Sequence, residues 1–186
     1  VDWEPIDTYI VRAADVRKVR PASSKDSLEQ KDKMLAGEAV QFLTQQNPHA
    51  VFVYFGQVDE VGHRDGFHPS VPSYLQALHT VDAHVASLVK AIQSRPEYLA
   101  ENWLVVISTD HGGRGRKHRG GHDVPEIVTT FLVVSGKDSM RGEIEEPSYI
   151  VDVPVIALTH LGIPIESAWQ LDGKAVGIRQ EFRNDQ

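Results

Sequence analysis

Residues 50–63 read Ala50-Val51-Phe52-Val53-Tyr54-Phe55-Gly56-Gln57-Val58-Asp59-Glu60-Val61-Gly62-His63. The first six positions are apolar or aromatic and stop at Gly56, the pattern of a short strand covered on both faces, as in a parallel sheet. A polar loop is predicted to follow, with a carboxylate and an imidazole four positions apart and a glycine just before the histidine. Upstream, Ser27-Leu28-Glu29-Gln30 has the form of a capping box, and Met34, Leu35, Ala39, Phe42 and Leu43 continue it as one apolar face, so a helix is expected as far as Asn47-Pro48. Downstream, Pro69 and Ser70 open a segment in which Val71, Tyr74, Leu75, Leu78, Val81, Val85, Leu88, Val89 and Ile92 recur at spacings of three and four, the strongest helix signal in the chain.

Two more apolar runs, Trp103-Leu104-Val105-Val106-Ile107-Ser108 and Thr130-Phe131-Leu132-Val133-Val134-Ser135, read as buried strands. Asp152 to His160 reads as a further helix, stopped by Gly162 and Pro164, and the tail from Gly177 is polar and expected to fray. Near the start only Thr8-Tyr9-Ile10-Val11 gives a weak strand or turn signal. The alternation of strands and helices predicts an α/β fold, a mostly parallel central sheet with helices on both faces, over one domain at 1–186. In such a sheet ligands gather beyond the carboxyl ends of the strands.

Composition narrows the chemistry. The chain has 186 residues, 41% hydrophobic and 24% charged, as in an ordinary globular fold. Its net charge of −7 gives no overall attraction to nucleic acid or anionic lipid, so any anion must be held by a local site. Cysteine is absent, which removes disulfides, thiolate zinc sites and thiol nucleophiles, and leaves His, Asp and Glu as metal donors. No run of about 18 apolar residues marks a membrane span. The first residue is Val rather than Met, which suggests a trimmed or fragmentary product; any export signal would precede Val1, so the compartment stays open.

The donors concentrate in two loops that each follow a predicted strand. One is Gln57 to His63; the other is Ser108-Thr109-Asp110-His111-Gly112-Gly113, continuing through Lys117-His118-Arg119-Gly120-Gly121-His122-Asp123. In a parallel sheet both loops would lie at one edge and converge on one pocket. Imidazole together with carboxylate suits zinc, manganese or iron better than calcium. Taken singly, D-x-x-G-H is most often a turn and Asp-His a cap beside a solvated ring; their place after the two most strand-like runs favours metal binding. Of the other histidines, His79 and His84 lie on the long helix beside its apolar stripe as solvated or boundary residues, His49 and His160 lie at element ends, and His68, close enough to Asp59 to border the pocket, reads instead as part of a packing turn with Phe67 and Pro69. Arg114, Arg116, Lys117 and Arg119 form a run too short for a nucleic-acid surface; it reads as a solvated loop in which Arg114 is a candidate for lining substrate phosphate.

The D-x-x-G-H after one strand, the T-D-H-G-G after the next and a later His in a glycine-rich loop resemble the alkaline phosphatase superfamily, and within it the type I phosphodiesterase and nucleotide pyrophosphatase branch. Gly56 to His63 and Leu171-Asp172-Gly173 also read like that branch. The resemblance implies two divalent ions, zinc above all with Mn or Fe as alternatives. Asp59, His63 and His118 would hold one, with His122 as the fallback for His118, and Asp110 and His111 would serve the other. It further implies hydrolysis of small phosphate esters, with sulfatase or phosphomutase chemistry as the near alternative.

The family's Ser or Thr nucleophile and another Asp ligand lie upstream of the region this chain matches, so no catalytic nucleophile is identified here; Ser108, Thr109 and Ser70 are the hydroxyls to consider should one be needed. The expectation is therefore the carboxyl-terminal portion of a larger catalytic domain, partnered by an upstream segment of the same protein or covering its open edge by self-association. A non-catalytic metal- or anion-binding remnant is the rival reading.

Overall fold

The computed structural model describes residues 1, 4–10, 12–20 and 25–179. It divides into two compact units, Val1–Tyr98 with Gly113–Arg119, and Leu99–Gly112 with Gly120–Gln186.

The first unit is helical. Helix α1 (Leu28–Gln45) starts on the predicted capping box: the Gln30 amide donates to Ser27 Oγ at 3.2 Å and the Ser27 amide donates to Gln30 Oε1 at 2.9 Å. Leu35, Ala36, Ala39 and Leu43 form its buried stripe, and Asp32 lies fully buried on the same side. Its last carbonyls, those of Leu43 and Gln46, accept from the Arg95 guanidinium, which satisfies acceptors that a helix end leaves without partners. Helix α2 (Gln57–Asp65) occupies the stretch predicted as a polar loop. Helix α3 (Pro72–Gln93) packs against α1 and α2, with Ala77, Ala91 and Ile92 buried. Its start falls slightly later than expected because Val71 is the cap and Pro72 takes the first turn, where a missing N–H costs nothing.

The apolar run at 50–55 is not a strand. It has no place in a sheet among the described residues, and Val51 and Phe52 are exposed. A strand needs a neighbour to take its N–H and C=O groups, and apolar content alone does not supply one. The weak signal at Thr8–Val11 corresponds to one π-helical turn, Ile6–Ile10, with Val11 outside the described residues.

The second unit contains the sheet. Strands β1 (Leu104–Ser108) and β2 (Leu132–Gly136) pair antiparallel, with Val106 opposite Val134, in place of the parallel central sheet expected. Between them the helical elements are a short 3-10 turn (Gly121–Asp123) and the one-turn helix α4 (Pro125–Val128). A parallel return requires a crossover, usually helical, whereas an antiparallel neighbour does not. The strands are not covered on both faces either: Leu132 and Val134 turn toward a core of Ile156, Val176 and Ile178, while Val133 faces out. Ile156 comes from helix α5 (Asp152–His160), where the sequence placed it. The tail does not fray at Gly177: Val176 and Ile178 are buried, and the Arg179 amide donates to Asp138 O at 2.7 Å. Residues 180–186 lie outside the described residues. Among the described residues no helix is long and apolar enough to cross a membrane.

Candidate metal centre

Because α2 is a helix, the four-residue spacing of Asp59 and His63 is one turn, which puts both side chains on one face. His63 Nε2 stands 3.5 Å from Asp59 Oδ2. His118, delivered by the segment Gly113–Arg119 of the same unit, brings its Nε2 to 3.9 Å from Asp59 Oδ1. One donor atom from each of the three lies within 4.8 Å of the others. All three side chains are between a third and a half exposed, so the cluster is open to a ligand from solvent.

The ring of His63 is held by its second nitrogen. Nδ1 lies 3.0 Å from the Arg116 carbonyl, which can only accept, so Nδ1 carries a proton and Nε2 is the nitrogen that faces Asp59. That is the arrangement a metal ligand requires, with the outer nitrogen fixed by a backbone oxygen. Phe67 supports both imidazoles: its ring meets His63 edge-on at 5.3 Å and His118 at 6.5 Å, and Tyr74 packs on it at 5.8 Å. A Cβ at Gly62 would lie 2.2 Å from the Phe67 ring, and one at Gly113 2.3 Å from it. The glycine of D-x-x-G-H and the second glycine of T-D-H-G-G thus make room for the same aromatic side chain. Tyr74 keeps its phenolic proton well into the alkaline range, since burial first and the Asp59 carboxylate second raise it.

Arg114 and Lys117 close a short hairpin through paired backbone hydrogen bonds of 2.9 and 3.2 Å. Arg116, Lys117 and Arg119 join His63 and His118 in lining a cleft of about 460 Å³. Arg114 is exposed on the hairpin and does not line that cleft.

Asp110 and His111 belong to the second unit, just past β1. His111 repeats the pattern of His63: Nδ1 is 2.8 Å from the Gly112 carbonyl and Nε2 is 3.8 Å from Asp110 Oδ2. The neighbouring hydroxyls are engaged, Ser108 Oγ donating to Phe131 O at 2.9 Å and Thr109 Oγ1 to His111 O at 2.9 Å. Ser70 Oγ is 2.7 Å from His68 Nδ1 in the turn before α3. His122 is exposed in the Gly121–Asp123 turn, outside the three-residue cluster.

Three participants escaped the sequence reading. In sequence Phe67 reads as part of a packing turn, with no link to the histidines, and Tyr74 as one of the apolar positions of the long helix. Asp32 left a usable signal, being the one carboxylate in line with Leu35, Ala36, Ala39 and Leu43, because an acid on an apolar stripe must have fixed partners.

Comparison with curated proteins gave no match, and comparison with solved structures gave none. The family model for type I phosphodiesterase / nucleotide pyrophosphatase matches residues 4–140, well over half of the chain and all of the clustered donors. With the D-x-x-G-H helix, the T-D-H-G-G loop and His118 in hand, the chain belongs to the type I phosphodiesterase/nucleotide pyrophosphatase family, a family of metal-dependent phosphoester hydrolases.

Proposed function

We propose that this chain supplies the metal-binding part of a phosphodiesterase or nucleotide pyrophosphatase site acting on small phosphate esters. The observation that carries the reading is the meeting of Asp59, His63 and His118 donor atoms within 4.8 Å. One carboxylate and two neutral imidazoles fit a borderline divalent cation, zinc first and manganese or iron after it. When bound there, such a cation supplies Lewis-acid polarisation of a phosphoryl oxygen. Asp110 and His111, with a second imidazole held through Nδ1 by a backbone carbonyl, serve a second cation.

The remaining steps belong to the chain's own groups. The Arg116 carbonyl holds the His63 ring through Nδ1 so that Nε2 is aimed at the cluster. Arg116, Lys117 and Arg119 offer positive charge to the ester's phosphate. Ser108 and Thr109 donate their hydroxyl protons to backbone carbonyls, which supports an attacking hydroxyl supplied by another segment of the protein.

Metal analysis of the purified chain after zinc loading tests the reading. Stoichiometric zinc is expected, with Asp59→Ala, His63→Ala and His118→Ala each weakening binding by more than the 10- to 100-fold typical of losing an outer hydrogen-bond partner, roughly. His122→Ala should leave affinity unchanged. A chain free of zinc, or loss of binding with His122→Ala and not His118→Ala, would overturn the ligand assignment.

A further inference from the structure

We infer that Asp32 is a positioning residue for the cation site, acting from α1 through the first turn of α2; the inference rests on the metal reading of Asp59, His63 and His118. Asp32 is fully buried. Its two carboxylate oxygens accept from consecutive backbone amides at the start of the helix that carries two of the three donors: Gly56 N at 3.1 Å to Oδ1, and Gln57 N at 2.9 Å to Oδ2.

The geometry has a specific consequence. Gly56 caps α2 and offers no side chain to its orphan amides, so the cap is supplied from 24 residues upstream. A carboxylate grasping two successive amides fixes the rotation of the helix about its axis as well as its position. Asp59 lies two residues beyond Gln57, and His63 one turn further, so the direction in which both side chains leave the helix follows from that anchor. The negative charge at the helix start adds favourable interaction with the helix dipole. A cap from a neighbouring residue would satisfy the amides equally well; only a cap from another helix also ties the donor-bearing face to the α1–α3 packing.

Asp32→Asn preserves shape but turns an amide N–H toward one of the two backbone donors, so one of the paired bonds is lost. Cobalt(II) titration of the zinc-free chain, followed by its visible absorption, reads both affinity and ligand arrangement. The expected result is a loss of affinity of about tenfold or more, as for other outer partners of metal ligands, with a changed absorption envelope, in a variant whose far-ultraviolet circular dichroism matches wild type. A folded Asp32→Asn chain with wild-type affinity and spectrum would overturn the inference and leave the metal reading standing. No cobalt binding by the wild-type chain would overturn both.

Should Asp32→Asn not fold, the wild-type chain decides alone. Coupling between anchor and cation is reciprocal, so adding zinc must slow hydrogen exchange at the Gly56 and Gln57 amides. Unchanged exchange there, in a chain that has taken up zinc, would overturn the positioning role.

Discussion

Gly62 sits inside a helix, where alanine would ordinarily gain about 1 kcal/mol. Here the added methyl would enter the Phe67 ring at 2.2 Å, and the ring is already against Gly113, His63 and Tyr74. Overpacking of this kind costs about 1–3 kcal/mol and outweighs the propensity gain. Gly62→Ala should therefore lower the melting temperature and also weaken zinc binding, because the displaced ring is the one that supports His63 and His118. A variant that melts higher and binds zinc as wild type does would show that the ring yields freely. At this scale the sequence is informative about donors and much less so about their support. Asp59, His63 and His118 stand out as titratable groups in a recognisable spacing, whereas Phe67 is distinguished only by whom it touches and Asp32 only by its place on an apolar stripe; the partners of both depend on how α1, α2 and the 113–119 segment meet.

Helices α1 and α3 were legible because each buries one side, and a 3.6-residue period records that; α5 was marked instead by its stop at Gly162 and Pro164. Helix α2 was not legible: it is short, polar and contains a glycine, and its start is stabilised by a carboxylate remote in sequence. Within the α1–α3 pair lies a titratable group outside the metal cluster. His84 packs on Phe55 at 5.6 Å, and burial, with the Lys33 charge adding and Glu29 opposing, holds its imidazole below the ordinary histidine range. The unfolded chain thus takes up this proton first as pH falls through about 6.5. His84 contributes its full share of stability above that value and loses it on further acidification. Melting of the metal-free chain at about pH 7.5 and about pH 5.5 should show a larger drop for wild type than for His84→Gln. Equal drops would mean that the folded state tolerates the charged ring. The hairpin of Arg114 to Lys117 makes a second claim: replacing Arg116 and Arg119 by Glu should weaken orthophosphate binding to the zinc-loaded chain about tenfold or more, with the difference shrinking in high salt. Unchanged phosphate affinity would make the run a solvated surface only.

The family was legible from the order and spacing of motifs, and the sheet was not. Three apolar runs suggested three neighbouring strands, yet pairing is decided by which backbone edges meet, and β1 and β2 meet antiparallel while 50–55 stays out of any ladder among the described residues. That run leaves Phe52 and Val51 exposed beside backbone groups with the composition of a strand. Exposed apolar surface of this kind favours a further polypeptide, either another segment of the natural protein or a second copy of this chain. The isolated chain offers only the second option, so sedimentation should show reversible association as concentration rises. Phe52→Lys places a charge on the exposed run, seven residues before Asp59, and should shift the equilibrium toward monomer. Zinc stoichiometry measured on the same samples separates the two roles of this stretch. Association lost with zinc binding retained places the contact on 50–55 and the chemistry on α2. A wild-type chain that stays monomeric at every concentration would show that the run is tolerated in water as it stands.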